Sequence, residues 1–240
     1  LVVANRPGSR PPPGDRAILW FHGGAFVAGT ARTHAPMVAR LAAATGLEAV
    51  LPDYRRAPEH PFPAANEDAR TAFEALVTGG IAPGNIVIGG DSAGGNLAFG
   101  LLAELLAEGI RPAGVVGMSP VTDLFFTGAA ITENVDSDTM LPAARHGDVH
   151  RYYLPGTDPA DPRASPLFAD YPDPPPVFLQ YSAIEILRGL PQPVIARVRG
   201  ACAGFGFSLM AGCDLAVAAD NAYFTTGYAL LGTSADGGST

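Results

Sequence analysis

The stretch "NIVIGGDSAGGNLAFGLLAELLAEG", residues 85–109, decides the fold. Its apolar opening has strand length, its centre is glycine-rich, and its long leucine- and alanine-rich end reads as a helix. Ser92 stands at the turn, inside Gly90-Asp91-Ser92-Ala93-Gly94, which fits the G-x-S-x-G pattern between a strand and a helix. The flanking glycines let the chain reverse without a Cβ clash. The turn then presents the Ser92 hydroxyl at a helix N-terminus, where backbone N–H groups favour developing negative charge. The bland alternative is a purely structural glycine turn.

Working outward, the same alternation continues on both sides. "AILWFHGG" (17–24) reads as a buried strand ended by glycines, and "HAPMVARLAAATG" (34–46) as a helix closed by glycine. "LEAVLPDYR" (47–55) reads as a strand, "NEDARTAFEALVTGG" (66–80) as an amphipathic helix, and "AGVVGMSP" (113–120) as a strand. Residues 137–175, rich in proline and acidic side chains, read as an excursion before "PPVFLQYSA" (175–183) returns to a strand. Alternation of this kind predicts an α/β fold with a mostly parallel sheet and helices on both faces.

Upstream of the turn lies "HGGAF", His22 to Phe26. Its small residues let the N–H groups of Gly23 and Gly24 face a tetrahedral oxyanion, with Ala93 N–H as a third donor. His22 reads as a residue that orders this loop rather than as a base.

Composition narrows the function classes. The chain has 240 residues, 48% of them hydrophobic, and a formal net charge of −8. Its basic residues are all arginine. An acidic chain is a poor partner for nucleic acid or an anionic membrane. No apolar run approaches the ~18–20 residues of a membrane helix, and no leader peptide is visible, so a cytoplasmic setting is expected. The two cysteines, Cys202 and Cys213, lack metal-type partners; neither a metal nor a cofactor is expected. "LVVANRPG" at the start reads as the interior of a longer chain.

Residues 17–187 resemble the hormone-sensitive-lipase-type branch of the α/β-hydrolase fold, a family of carboxylic ester hydrolases. The resemblance is carried by "HGGAFVAGT", "DYRRAPEHPFPAA", "GDSAGGNLA", "SPVTDL" and "DPRASPLFAD". It implies a catalytic serine, an acid and a histidine in that chain order. By motif position "YSAIEIL" implies Glu185 as the acid, with Asp123 a weaker candidate that reads as structural. "DYRRAPEHPFPAA" is expected to brace the oxyanion loop, with Glu59 and His60 in structural roles. The implied histidine does not follow. His22, His34, His60, His146 and His150 all precede Glu185. His146 and His150 lie in the excursion, which resembles part of the family's cap, and read as solvated residues.

Residues 190–240 resemble a different family, the enoyl-CoA hydratase/isomerase or crotonase superfamily, through "PVIARVRG", "GCDLAVAAD", "AYF" and "LLGTSADGGST". That resemblance implies one peptide N–H donor near Phe205 and Gly206 and an acid at Asp236. Ser208 and Tyr228 stand where many hydratases carry glutamates. A single acid and half an oxyanion hole do not complete such a site.

The expected organisation is therefore a hydrolase domain over 1–187, with 137–175 a partial cap-like excursion, and a crotonase-like fragment over 188–240. The hydrolase sheet is expected to stop after the acid-bearing strand. "PVIARV", a glycine turn and a helical "FSLMAGCDLAV" are expected to follow and cover its edge. The expected activity is hydrolysis of short-chain acyl esters through Ser92 and an acyl-enzyme, impaired by the missing histidine. The partner is a small-molecule ester, and a homodimer is allowed for. The alternatives are a non-catalytic fusion product and a CoA-thioester enzyme.

Overall fold

Strand β4 (Ile86–Asp91) is central to the sheet and runs directly into helix α3 (Ala93–Ala107). On one side β4 pairs in parallel with β2 (Ala17–Phe21), placing Phe21 opposite Gly90; on the other it pairs in parallel with β5 (Gly114–Met118), placing Met118 opposite Asp91. Beyond β2 lies β3 (Glu48–Val50), parallel to it, and then the short antiparallel β1 (Val2–Val3). With β6 (Val177–Gln180) after β5, the order is β1-β3-β2-β4-β5-β6. This is the mostly parallel α/β arrangement the alternation predicts, and it fits the α/β-hydrolase fold the resemblance implies. The structure, a computed structural model, describes residues 2–3, 15–128, 131 and 146–180, and the backbone of four short strands beyond them.

Adjacent strand residues point to opposite faces, and β4 uses both. A Cβ on Gly89 would meet the Trp20 ring at 2.7 Å, whereas one on Gly90 would meet Gly94 O at 2.2 Å. Trp20 therefore marks one face and α3 the other. On the Trp20 face, Ile18, Trp20, Ala49 and Leu51 pack with Val38 and Ala42 of α1 (Ala31–Thr45). On the opposite face α3 is buried along nearly its whole surface and is flanked by α2 (Ala64–Thr78).

Helix α1 begins before the predicted 34–46 because Thr30 and Thr33 form a reciprocal cap. Thr33 N–H donates to Thr30 Oγ1 at 3.1 Å, and Thr30 N–H donates to Thr33 Oγ1 at 3.0 Å. Gly46, left-handed at φ 73°, ends the helix by donating to Ala42 O. The strand predicted over 47–55 is shorter. It stops at Val50, because the following residues leave the sheet and turn towards the loop after β2.

Within the excursion, the described part contains helix α4 (His146–Tyr152) and a single 3₁₀ turn at Pro166–Phe168.

Contacts divide the chain into two units, 1–126 with 144–179 and 127–143 with 180–240. In the second unit β7 (Ile195–Val198) pairs in parallel with β9 (Leu215–Ala218), and β8 (Ala201–Ala203) in parallel with β10 (Tyr223–Thr225). "PVIARV" thus supplies the expected strand. The helix expected over "FSLMAGCDLAV" does not hold at its end, where Leu215–Val217 are strand. A short apolar run cannot be told from helix by periodicity, and ladder pairing with β7 decides it. The 187/188 boundary lies outside the described residues.

Candidate active site

Ser92 adopts φ 51° and ψ −118° between β4 and α3. That region is costly for any residue with a Cβ and persists only where the surroundings enforce it. The enforcement is visible. Ser92 N–H donates to Met118 O at 2.8 Å, and Ser92 O accepts from Asn96 N–H at 3.1 Å and Val121 N–H at 3.2 Å. A Cβ on Gly94 would stand 2.0 Å from Phe21 O, so the helix start presses directly on β2. Asn96 extends the anchorage: its Nδ2 donates to Val121 O at 2.8 Å and Ala164 O at 2.7 Å. Ser92 is half-buried, and its hydroxyl has no hydrogen-bond partner among the described residues.

The loop after β2 turns back on itself. Gly24, Ala25 and Phe26 have φ of 129°, 52° and 63°, and Gly24 O accepts from Ala28 N–H at 2.8 Å and Val27 N–H at 3.0 Å. Residues 53–57 brace it at four points. Tyr54 OH donates to His22 O at 2.6 Å. Ala57 N–H donates to Phe26 O at 2.9 Å. Arg56 Nη1 donates to Gly29 O, and Asp53 Oδ1 accepts from Ala31 N–H at 2.6 Å. The bracing expected of "DYRRAPEHPFPAA" is thus specific to its first five residues; Glu59 and His60 are exposed.

The N–H of Gly23, expected to face an oxyanion, donates instead to Asp91 Oδ2 at 3.0 Å. The N–H groups of Gly24 and Ala93 have no partner among the described residues. Ala93 is the first helical residue, where the backbone N–H has no partner within the helix.

The histidines separate by environment. His22 is buried at 1% exposure, its ring stacked on Tyr54 with centroids 4.2 Å apart. Its Nδ1 lies 2.8 Å from Gly23 O, so Nδ1–H donates there. Burial pushes its pKa below the ordinary 6.5, and the nearby His34 works in the same direction. His34 Nε2 pairs with Asp91 Oδ2 at 3.2 Å. His150 Nε2 bonds to Leu124 O, away from the Ser92 hydroxyl's hydrogen-bonding reach. Asp123 Oδ1 accepts from Phe125 N–H at 2.8 Å and closes a local turn. Glu185, the His146 side chain, Phe205, Gly206, Ser208, Tyr228 and Asp236 lie outside the described residues. No local sequence signal pairs His34 with Asp91. Only their proximity in space gives them a role here.

A parallel sheet that delivers a serine on a strained strand-to-helix turn, beside a braced glycine loop, has the architecture of a nucleophile-elbow hydrolase. A family model described as alpha/beta hydrolase fold matches residues 18–203, and the chain belongs to that family. A second, described as enoyl-CoA hydratase/isomerase, matches 178–240 and so overlaps the first. An esterase of Acinetobacter venetianus is 38% identical over 172 residues, covering 71% of this chain and 57% of its own. An acetyl-hydrolase of Streptomyces hygroscopicus is 38% identical over 180 residues, covering 74% and 60%. Among solved structures, a hormone-sensitive lipase from a metagenome library superposes with TM-score 0.68 at 35% identity, over 73% of this chain and 60% of that one. An esterase from the bacterial hormone-sensitive lipase family gives 0.71 at 34% identity, over 91% and 68%. The chain spans 57% and 60% of the lengths of these two curated relatives and as little as 38% of others it matches. No helix among the described residues is long and apolar enough to cross a membrane.

Proposed function

We propose that this protein is a carboxylic ester hydrolase for short-chain acyl esters. In this reading Ser92 Oγ attacks the ester carbonyl and the alcohol leaves with a proton. Water then cleaves the acyl-enzyme to free acid and regenerates the serine. The observation that carries the reading is the enforced positive φ of Ser92 at the junction of β4 and α3. Such strain is kept where a side chain must be presented.

Two donors are assigned to the oxyanion, Gly24 N–H and Ala93 N–H. Gly23 becomes a holder of the loop, since its N–H is engaged by Asp91. Glu185 is assigned the role of orienting a base, by resemblance alone. No histidine follows Glu185 within these residues, so turnover is proposed to be impaired. Loss of a triad histidine costs about 10⁶ in turnover, roughly 8 kcal/mol of transition-state stabilisation. The remaining oxyanion donors and binding sustain about 10³–10⁴ over water.

The experiment is hydrolysis of p-nitrophenyl butyrate together with fluorophosphonate labelling, on the wild type and Ser92→Ala. Slow labelling confined to Ser92, with weak hydrolysis lost in Ser92→Ala, supports the proposal. Fast labelling and robust turnover refute the impairment. Absence of any labelling at Ser92 moves the protein to the non-catalytic reading.

A further inference from the structure

Three N–H groups from three separate elements converge on the side chain of Asp91. Trp20 Nε1–H, from β2, donates to Oδ1 at 3.2 Å. Gly23 N–H, from the glycine loop, donates to Oδ2 at 3.0 Å. His34 Nε2, from the first turns of α1, lies 3.2 Å from the same Oδ2. Asp91 immediately precedes Ser92, so one carboxylate ties the loop and α1 to the residue before the elbow. The approach is close enough that a Cβ on Gly23 would stand 2.3 Å from Oδ2.

A carboxylate one residue from a nucleophile is electrostatically adverse to an oxyanion. It is tolerable here because donors occupy both of its oxygens. Its position also fixes the loop: with Gly23 N–H engaged, the next N–H in the chain, that of Gly24, is the one left for a ligand. We propose that Asp91 and His34 act together as a positioning clamp, with His34 holding Asp91 and Asp91 holding Gly23 so that Gly24 N–H and Ala93 N–H share one anion site. The clamp rests on the oxyanion assignment above.

His34 is itself held. Its Nδ1 lies 3.0 Å from Thr33 Oγ1 and 3.3 Å from Thr30 O, the two residues of the α1 cap. The ring of His22 stands 5.5 Å away, with Tyr54 stacked on it. Asp53 and Arg56 are committed to Ala31 N–H and Gly29 O. The clamp therefore joins the helix cap, the brace and the elbow.

The test compares wild type with His34→Leu, His34→Gln and Asp91→Asn, each checked for a cooperative thermal transition. Two readouts are taken: the fluorophosphonate labelling rate at Ser92, and the indole N–H resonance. The chain has one tryptophan, so that resonance is Trp20 without further assignment. Glutamine restores an N–H donor to Asp91; leucine does not. His34→Leu and Asp91→Asn should shift the indole resonance and slow labelling about tenfold, the effect of losing a hydrogen bond to a charged group. His34→Gln should restore both readouts to near wild type. Unchanged labelling in folded His34→Leu and Asp91→Asn overturns the clamp, as does a Gln variant no better than Leu. If Ser92 labels in no protein, the esterase reading fails on its own. An indole resonance unmoved in His34→Leu then overturns the clamp independently. Should His34→Leu not fold, slowed labelling in Asp91→Asn but not in His34→Gln supports the clamp, and equal labelling in the two overturns it.

Discussion

The ring of Tyr153 lies flat on that of Phe26, with centroids 3.8 Å apart and planes within 2°. Phe26 belongs to the glycine loop after β2 and Tyr153 to the excursion just after α4, so residues 127 apart in sequence share one packed layer. Both are buried, and the Tyr153 hydroxyl donates to Asn66 Oδ1 at 2.9 Å.

Two substitutions separate the stack from the hydroxyl. Tyr153→Ala should cost about 3–5 kcal/mol, as for other large buried aromatic truncations. Tyr153→Phe keeps the stack and loses one hydrogen bond, so it should cost about 1 kcal/mol. Urea unfolding of the three proteins measures both. Equal losses would mean that the hydroxyl, not the ring, secures the loop.

Gly94→Ala is expected to destroy the elbow, because the new Cβ would meet Phe21 O at 2.0 Å. The expected result is loss of fluorophosphonate labelling at Ser92 with marked destabilisation. Gly147→Ala is the contrasting case. It lies in α4 with nothing within 4 Å of the position a methyl would take, and should gain about 0.5–1 kcal/mol.

His22 makes stability depend on pH with a defined sign. Its pKa is depressed in the folded state, chiefly by burial. The unfolded chain therefore binds a proton first as pH falls below 6.5. The contribution of His22 is fully present above 6.5 and is lost as pH falls from there towards the lower folded value. His22→Asn, which keeps an N–H for Gly23 O, should flatten the slope of unfolding free energy in that interval. An unchanged slope would show that His22 is not the titrating group.

His150→Gln should leave Ser92 labelling within about threefold of wild type, since the imidazole is engaged by Leu124 O. A loss on the scale of the ~10⁶ expected for a triad base would instead identify His150 as the base.

The elbow was legible in sequence because its signals are local: an apolar strand, two glycines and a helix, all within residues 85–109. Helices α1 and α2 were legible for the same reason, through spacing and a terminal glycine. The Asp91 cluster was not. Its donors lie 71, 68 and 57 positions away, and only strand order and helix placement bring them together. The exact end of β3 was hidden likewise: "LPDYR" reads as the polar exit of an apolar strand, and its Asp53 and Tyr54 are drawn off to Ala31 N–H and His22 O. Leu215–Val217 illustrate the opposite failure, a run whose state depends on its partner β7.

The positive φ at Ser92 also shapes how this chain can change. Glycine is the residue most at ease at φ 51°, so Ser92→Gly should relieve the turn by about 1 kcal/mol while removing the hydroxyl. The turn that displays the Ser92 hydroxyl thus favours its loss. A lineage no longer held to its chemistry has a downhill, single-residue exit at position 92, whereas Gly94, walled in by Phe21, has none.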